Sequence, residues 1–262
     1  MRRRFFVGEF SGATATLRGD AAHHAGHVLR AEPGQLYELS DGRQVWLARV
    51  ERVRRDEVAF SLLEPVPAAP PELETILALS LVKFDRFEWA LEKATELGAA
   101  EILPLAAARS VRGLLTAAAK RALRWEKILM ESAQQSRRLR PPRLLPPASD
   151  AVAFLSRPSA AFGQPQTAGA GTGTAPADPL LQLFFSEHPE APPLRSALEH
   201  APRSRRLLLA LGPEGGWTGE ERDAALRGGW AEVSLGPTIL RTETAVVAAL
   251  AAVTYACGTS QT

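Results

Sequence analysis

Near its C-terminal end the chain carries one local pattern twice, and that pattern narrows the choice of fold more than any other feature. Residues 209–221 read LALGPEGGWTGEE and residues 235–245 read LGPTILRTETA. Each begins apolar, bends at Gly-Pro and enters a helix start. Gly212, Gly215 and Gly216 open backbone conformations closed to other residues and let a ligand approach the main chain. Thr218 and Glu221 make a T-x-x-E capping box. Thr242 is a candidate N-cap, and Glu243 falls in a first turn, where the helix dipole favours a carboxylate. Strands feeding helices in this way predict an α/β domain with a mostly parallel sheet. Such sheets take ligands at the carboxyl ends of their strands.

Either loop alone is compatible with an ordinary β-to-α turn. Two so close in sequence point to a shared pocket. The pocket is not of a nucleotide-triphosphate type, since neither G-x-x-x-x-G-K-[ST] nor G-x-G-x-x-G occurs. Glu214 in mid-loop would also repel a polyphosphate, so a neutral or cationic ligand held by backbone groups suits the loop better.

The rest of the chain falls into two parts. Residues 1–68 predict a small β-barrel: short strands at Phe5–Val7 and Ala15–Leu17, a short helix from an Asp20 cap to Leu29, then strands at 35–39, 44–53 and 58–63 with a hairpin signal at Asp41-Gly42. Residues 66–71 are proline-rich and read as a linker. From residue 73 to 262 the pattern becomes α/β. An apolar strand covers 75–82, a helix follows through Leu97 with Gly98 as its stop, and a short strand covers 102–106. A second helix spans roughly 117–138. Further buried strands are expected at 180–185, 207–211 and 233–235. The helix at 245–257 is apolar nearly all round, which predicts burial on several sides, inside the domain or against a partner chain. Residues 157–179 are rich in Gly, Ala, Pro and Thr and read as a flexible insertion.

A chain of 262 residues with 45% hydrophobic content is long enough for a sizeable core. Its net charge of +2 is too mild to argue for a nucleic-acid partner, so local clusters must decide. Residues 120–143 hold Lys120, Arg121, Arg124, Lys127, Arg137, Arg138, Arg140 and Arg143 against Glu126 and Glu131, either a solvated face or a surface for phosphates. Arg43, Arg49, Arg52, Arg54 and Arg55 form a second cluster. One cysteine, Cys257, excludes an intrachain disulfide and accords with a reducing compartment. His23 and His27, four apart, read as exposed or capping residues rather than metal ligands. The N-terminal apolar run is too short for a signal peptide, and no stretch approaches the length of a membrane span. A cytoplasmic protein is expected.

GPEGG at 212–216 and LGPTILRTETA at 235–245 resemble the signature of the RsmE family, SPOUT-class methyltransferases of small-subunit ribosomal RNA. Lys83 with KATELG at 93–98, Arg109-Ser110-Val111, ESAQQSRR at 131–138, RRFF at 3–6 and HVLR at 27–30 agree with it. The resemblance implies a PUA-like N-terminal barrel that binds RNA, and a C-terminal SPOUT domain with a trefoil knot around its sheet. It also implies S-adenosylmethionine as cofactor, N3 of one uracil in 16S rRNA as substrate, and a homodimer. Cofactor contacts carried over are Leu211, Gly212, Pro213, Glu214, Gly215, Gly216, Leu235, Gly236, Ile239, Leu240, Thr242, Thr244 and Ala245, with Phe185 and Glu187 from a third loop. RNA contacts carried over are Arg4, Arg30, Lys83, Arg109 and Arg138. No metal is implied.

Glu214 or Glu243 either holds the cofactor's positive charge or braces the loops. Uracil N3 is mostly protonated at neutral pH, and Glu243 at a helix start is a weak base for it. Arg241 is the candidate to stabilise negative charge on the uracil oxygens, against the alternative of a salt bridge across the loops. N3 lies on the pairing edge, so the uracil must be unpaired or flipped out. Two other functions stay open on sequence: an RNA-binding protein that keeps the fold without catalysis, and a SPOUT enzyme acting on ribose 2′-O.

Overall fold

A computed structural model describes residues 3–68, 73–111, 113–159, 162, 179–200 and 205–257. Most of the stretch read as an insertion at 157–179 therefore lies outside the described residues. The chain forms two compact units, residues 1–70 with 130–141 and residues 71–129 with 142–262.

The first unit holds β1 (Arg4–Phe6), β2 (Thr14–Arg18), α1 (Gly19–His23), β3 (Leu36–Ser40), β4 (Val45–Arg54) and β5 (Glu57–Val66). They form one curled sheet, a half-barrel, in the order β1-β3-β4-β5-β2, with β1 parallel to β3 and the other pairs antiparallel. The Asp41-Gly42 signal delivers its hairpin. Gly42 takes φ +85, and Asp41 Oδ1 accepts from the N–H groups of Arg43 and Gln44, each at 2.8 Å. Inward residues Phe5, Leu17, Leu39, Val50, Val58 and Phe60 make the core. The expected Asp20 cap is not used. The chain enters α1 from an extended Arg18 through Gly19 at φ +56, and Asp20 lies in the first turn. The helix then relaxes into a π turn over His24–Val28. The rings of His23 and His27 stack with centroids 4.6 Å apart.

Arg4 is buried in this unit. Its Nε and one terminal nitrogen donate to Glu38 Oε2 at 3.1 and 2.8 Å, and the other donates to the Arg137 carbonyl at 2.6 Å. The guanidinium is engaged on three sides within this unit.

The second unit holds β6 (Glu74–Ser80), α2 (Phe84–Glu96), β7 (Glu101–Leu105), α3 (Leu114–Gln135), β8 (Arg143–Leu144), α4 (Ala151–Leu155), β9 (Leu180–Phe185), α5 (Leu194–His200), β10 (Arg206–Leu211), α6 (Gly219–Arg227), β11 (Ala231–Val233) and α7 (Thr242–Cys257). From Met130 onward α3 counts with the first unit. Six strands make a wholly parallel sheet in the order β11-β9-β10-β6-β7-β8. Both faces of such a sheet must be covered, and alternation along the strands shows how. Leu77, Leu79, Leu183, Leu207 and Leu209 face α2, α3 and α7, where Trp125 and Leu250 are buried with them. Ala78, Phe184, Leu208 and Ala210 face α4 and α6, with Trp230. Gly98 at φ +93 ends α2 as expected. The helix expected over 245–257 buries one stripe, Val246, Ala249, Leu250 and Val253, and leaves Tyr255 92% exposed. Its all-round apolar character is thus not all-round burial within the chain. Among the described residues no helix is long and apolar enough to cross a membrane.

Candidate active site

Register fixes where the loops emerge. Leu211 at the end of β10 pairs with Phe185 of β9 and Leu79 of β6, and Val233 of β11 pairs with Phe185. The segments after β9, β10 and β11 therefore leave the sheet at one edge. There they line one open cleft.

The first loop contributes Leu211, Gly212, Pro213 and Gly216 to the wall, and the second contributes Leu235, Gly236, Ile239, Leu240, Thr242 and Ala245. Phe185 and Glu187 come from the third loop. The structure thus brings together residues expected from sequence to meet one ligand. Glu214, Gly215 and Thr244 stand outside this wall. Two wall residues escaped the sequence reading, Trp217 and Ser234, whereas Ser186 and Thr238 belong to the segments 183–187 and 235–240 expected at the cofactor. The Trp217 indole donates to the Phe185 carbonyl at 2.9 Å and packs on Phe184 with ring centroids 4.9 Å apart. A Cβ on Gly212 would fall 2.9 Å from the Trp217 indole nitrogen, so the glycine there makes room for the indole.

Several bonds fix the loops. The capping box forms as expected: Glu221 N–H donates to Thr218 Oγ1 at 3.2 Å, and Thr218 N–H donates to Glu221 Oε2 at 2.8 Å. Glu221 is fully buried and also accepts from Ala108 N–H at 2.8 Å, tying the loop after β7 to the start of α6. Next to that contact, Arg109 donates to the carbonyls of Gly215 and Trp217 at 2.8 and 3.2 Å. Its guanidinium holds the glycine loop, although sequence placed it on RNA. Thr242 does not cap α7 from outside. The helix begins at Thr242, Ala245 N–H donates to the Arg241 carbonyl, and Thr242 Oγ1 donates to Gly212 O at 3.0 Å.

The two loop carboxylates meet a residue that sequence reasoning missed. Arg86, in the first turns of α2, forms an ion pair with Glu214, and its Nε lies 3.9 Å from Glu243 Oε1. Within α2 its periodicity marks it only as a polar position. Both carboxylates thus face a protein cation and neither lines the cleft, so of the two roles open on sequence the geometry favours bracing. Arg241 is exposed, with no side-chain hydrogen bond or ion pair among the described residues. The salt bridge considered for it is absent there. Among the remaining candidates, Arg30 is exposed at φ +52 and Lys83 is exposed just before α2. Burial, with the neighbouring charge of Arg140, pushes the Arg138 guanidinium down to about 10.

Residues 69–254 match the family described as RNA methyltransferase domain. A parallel α/β sheet with a loop-built cleft at its carboxyl edge, matched to that family over more than half the chain, defines an RNA methyltransferase. The curated relatives narrow this. Ribosomal RNA small subunit methyltransferase E of Mycobacterium tuberculosis is 37% identical, with 93% of this chain and 87% of that protein aligned. The same enzyme of Bacillus subtilis is 31% identical over 92% of this chain and 90% of its own. The chain belongs to the ribosomal RNA small subunit methyltransferase E family. Among solved structures, that enzyme from Neisseria gonorrhoeae, bound to S-adenosylmethionine, superposes with a TM-score of 0.79 at 28% identity, covering 97% of this chain and 98% of that one. A Legionella pneumophila methyltransferase in complex with the same cofactor matches equally well, with a TM-score of 0.79 at 27% identity and 98% of each chain covered. The half-barrel sheet followed by a SPOUT-class domain is the fold these relatives share.

Proposed function

We propose that the protein transfers the methyl group of S-adenosylmethionine to N3 of one uracil in 16S rRNA of the small ribosomal subunit. The observation that carries this reading is the single cleft into which two glycine–proline loops and the end of β9 converge. The wall suits that cofactor. Its one charged side chain among the lining residues is the Glu187 carboxylate, which favours a cation and opposes a phosphate. Gly216 at φ +68 sits where a Cβ would come 3.4 Å from Glu187 Oε1, so glycine keeps that carboxylate accessible to a ligand. Bound there, the sulfonium supplies an electrophilic methyl carbon.

The chain's own residues position the partners of the reaction. Leu211–Pro213 and Leu235–Leu240 present backbone groups to the cofactor, and Ile239, 78% exposed on the cleft rim, offers an apolar edge to a flat ring. Alignment of two reactants in a fixed site supplies much of the rate of such a transfer. Arg241, exposed and unpaired among the described residues beside that rim, stabilises negative charge on the uracil oxygens as the N3 proton leaves. Glu243 is turned to Arg86, which leaves it a bracing part.

RNA affinity belongs to exposed basic residues such as Arg30, Lys83 and Lys120. The protein acts as a homodimer in the cytoplasm, with the uncovered face of α7 around Tyr255 as the surface for the second copy. The test is methyl transfer to purified small subunits with and without this protein, followed by nucleoside analysis. 3-Methyluridine is the expected product. A 2′-O-methylated nucleoside, or no methylation, overturns the reading.

A further inference from the structure

Two of the loop carboxylates, Glu214 and Glu243, are not among the residues that line the cleft, and one guanidinium addresses both. Glu214 belongs to the loop after β10. Glu243 belongs to the first turn of α7, which follows the loop after β11. Arg86 comes from α2, an element that contributes nothing to the cleft wall. Its ion pair with Glu214 and its 3.9 Å approach to Glu243 connect the two loops a second time, beside the Thr242–Gly212 hydrogen bond between two cleft-lining residues. Side-chain exposure across the cluster is 39% for Glu214, 28% for Arg86 and 15% for Glu243, so the Glu243 end is the more buried. Glu243 Oε2 is buried with no hydrogen-bond partner among the described residues. A carboxylate so placed is costly without its cation.

We infer that Arg86 is the positioning residue of the cofactor cleft, fixing the separation of the two glycine–proline loops through Glu214 and Glu243. The inference rests on the reading of the cleft as an S-adenosylmethionine site. Its action on the reaction is indirect: Glu243 is two residues from Arg241, and the segment that carries both is held by the same guanidinium. Arginine is needed because its planar fork can address two carboxylates at once, whereas a lysine ammonium is a single point charge.

The test measures S-adenosylmethionine affinity by calorimetry, and thermal unfolding, for the wild-type chain, Arg86→Met, Glu214→Gln, the double variant and Arg86→Lys. Arg86→Met is expected to weaken cofactor binding roughly tenfold, and Glu214→Gln to weaken it several-fold, on the scale of coupled neighbours. The double variant is expected to bind no more weakly than Arg86→Met, because both changes break one connection. Arg86→Lys is expected to recover part of the loss. In turnover with small subunits the KM for S-adenosylmethionine should rise more than kcat falls. Should Arg86→Met fail to fold, Arg86→Lys and Glu214→Gln carry the same comparison. Wild-type affinity in folded Arg86→Met, with only a lowered unfolding temperature, overturns the inference, as do single losses that multiply in the double variant. A wild-type chain that binds no S-adenosylmethionine sinks the cofactor reading itself, and this inference with it.

Discussion

Thr242 Oγ1 donates to the carbonyl of Gly212 at 3.0 Å, and that bond joins the two glycine–proline loops across thirty residues of chain. Thr242 is 3% exposed, so water cannot take over the contact. Thr242→Val keeps the shape and removes the donor, leaving a carbonyl underpaired at a cost of ~1–3 kcal/mol. The expected outcome is a weaker S-adenosylmethionine affinity, by about fivefold or more, with a small fall in unfolding temperature. Calorimetry on the variant checks it, and unchanged affinity contradicts the role given to the bond.

The space around Gly215 is limited by a side chain, not by the backbone conformation that its place in a glycine run implies. Its φ is not in the left-handed region, and a Cβ there would meet Arg109 Cβ at 3.2 Å and Cδ at 3.4 Å. Arg109 grips the carbonyls of Gly215 and Trp217. Gly215→Val should push that side chain off its acceptors and abolish measurable cofactor binding, since a β-branched group has few rotamers with which to avoid the clash. Binding measured on the purified variant decides the matter.

Arg241→Ala should lower kcat by ~10²-fold, the scale of losing one donor to developing negative charge, while cofactor affinity changes little. Single-turnover methylation with saturating S-adenosylmethionine separates the two quantities. Turnover equal to wild type removes the electrostatic role.

Arg4 is expected to matter for stability rather than for RNA. Arg4 and Glu38 are 6% and 7% exposed. Arg4→Met leaves the Glu38 carboxylate buried beside a single weaker contact, Arg137 at 3.7 Å. Breaking one side of a buried pair costs ~3–5 kcal/mol. Chemical denaturation should show the loss, whereas a chain of wild-type stability with weakened RNA binding would restore Arg4 to the RNA surface.

The parts of this molecule that were legible in sequence are those written in local chemistry. The run LLQLFF at 180–185 is β9 to the residue, because a strand covered on both faces needs a near-continuous apolar stretch, here broken only by Gln182. Thr218 and Glu221 form their cap because the partners are three residues apart. What could not be read depends on partners far along the chain. Arg4 looks basic and free until Glu38 is folded beside it, and residues 130–141 look like the end of a helix until they pack with the first unit. Arg86 and Arg109 are separated by more than a hundred residues from the loops they hold. Trp217 is not legible as a wall residue, because an aromatic just before a helix cap carries no positional signal. The knot expected from the family resemblance is likewise invisible to any periodicity.

Trp217 gives the protein a built-in optical reporter. It is one of five tryptophans, and its indole lies in the cleft wall with its nitrogen bound to the Phe185 carbonyl. A cationic ligand settling against that wall alters the field at the ring, so emission intensity and wavelength should titrate with occupancy. Replacing Trp46, Trp89, Trp125 and Trp230 by phenylalanine leaves Trp217 as sole emitter, and the cleft can then be followed in real time without label or radioactivity.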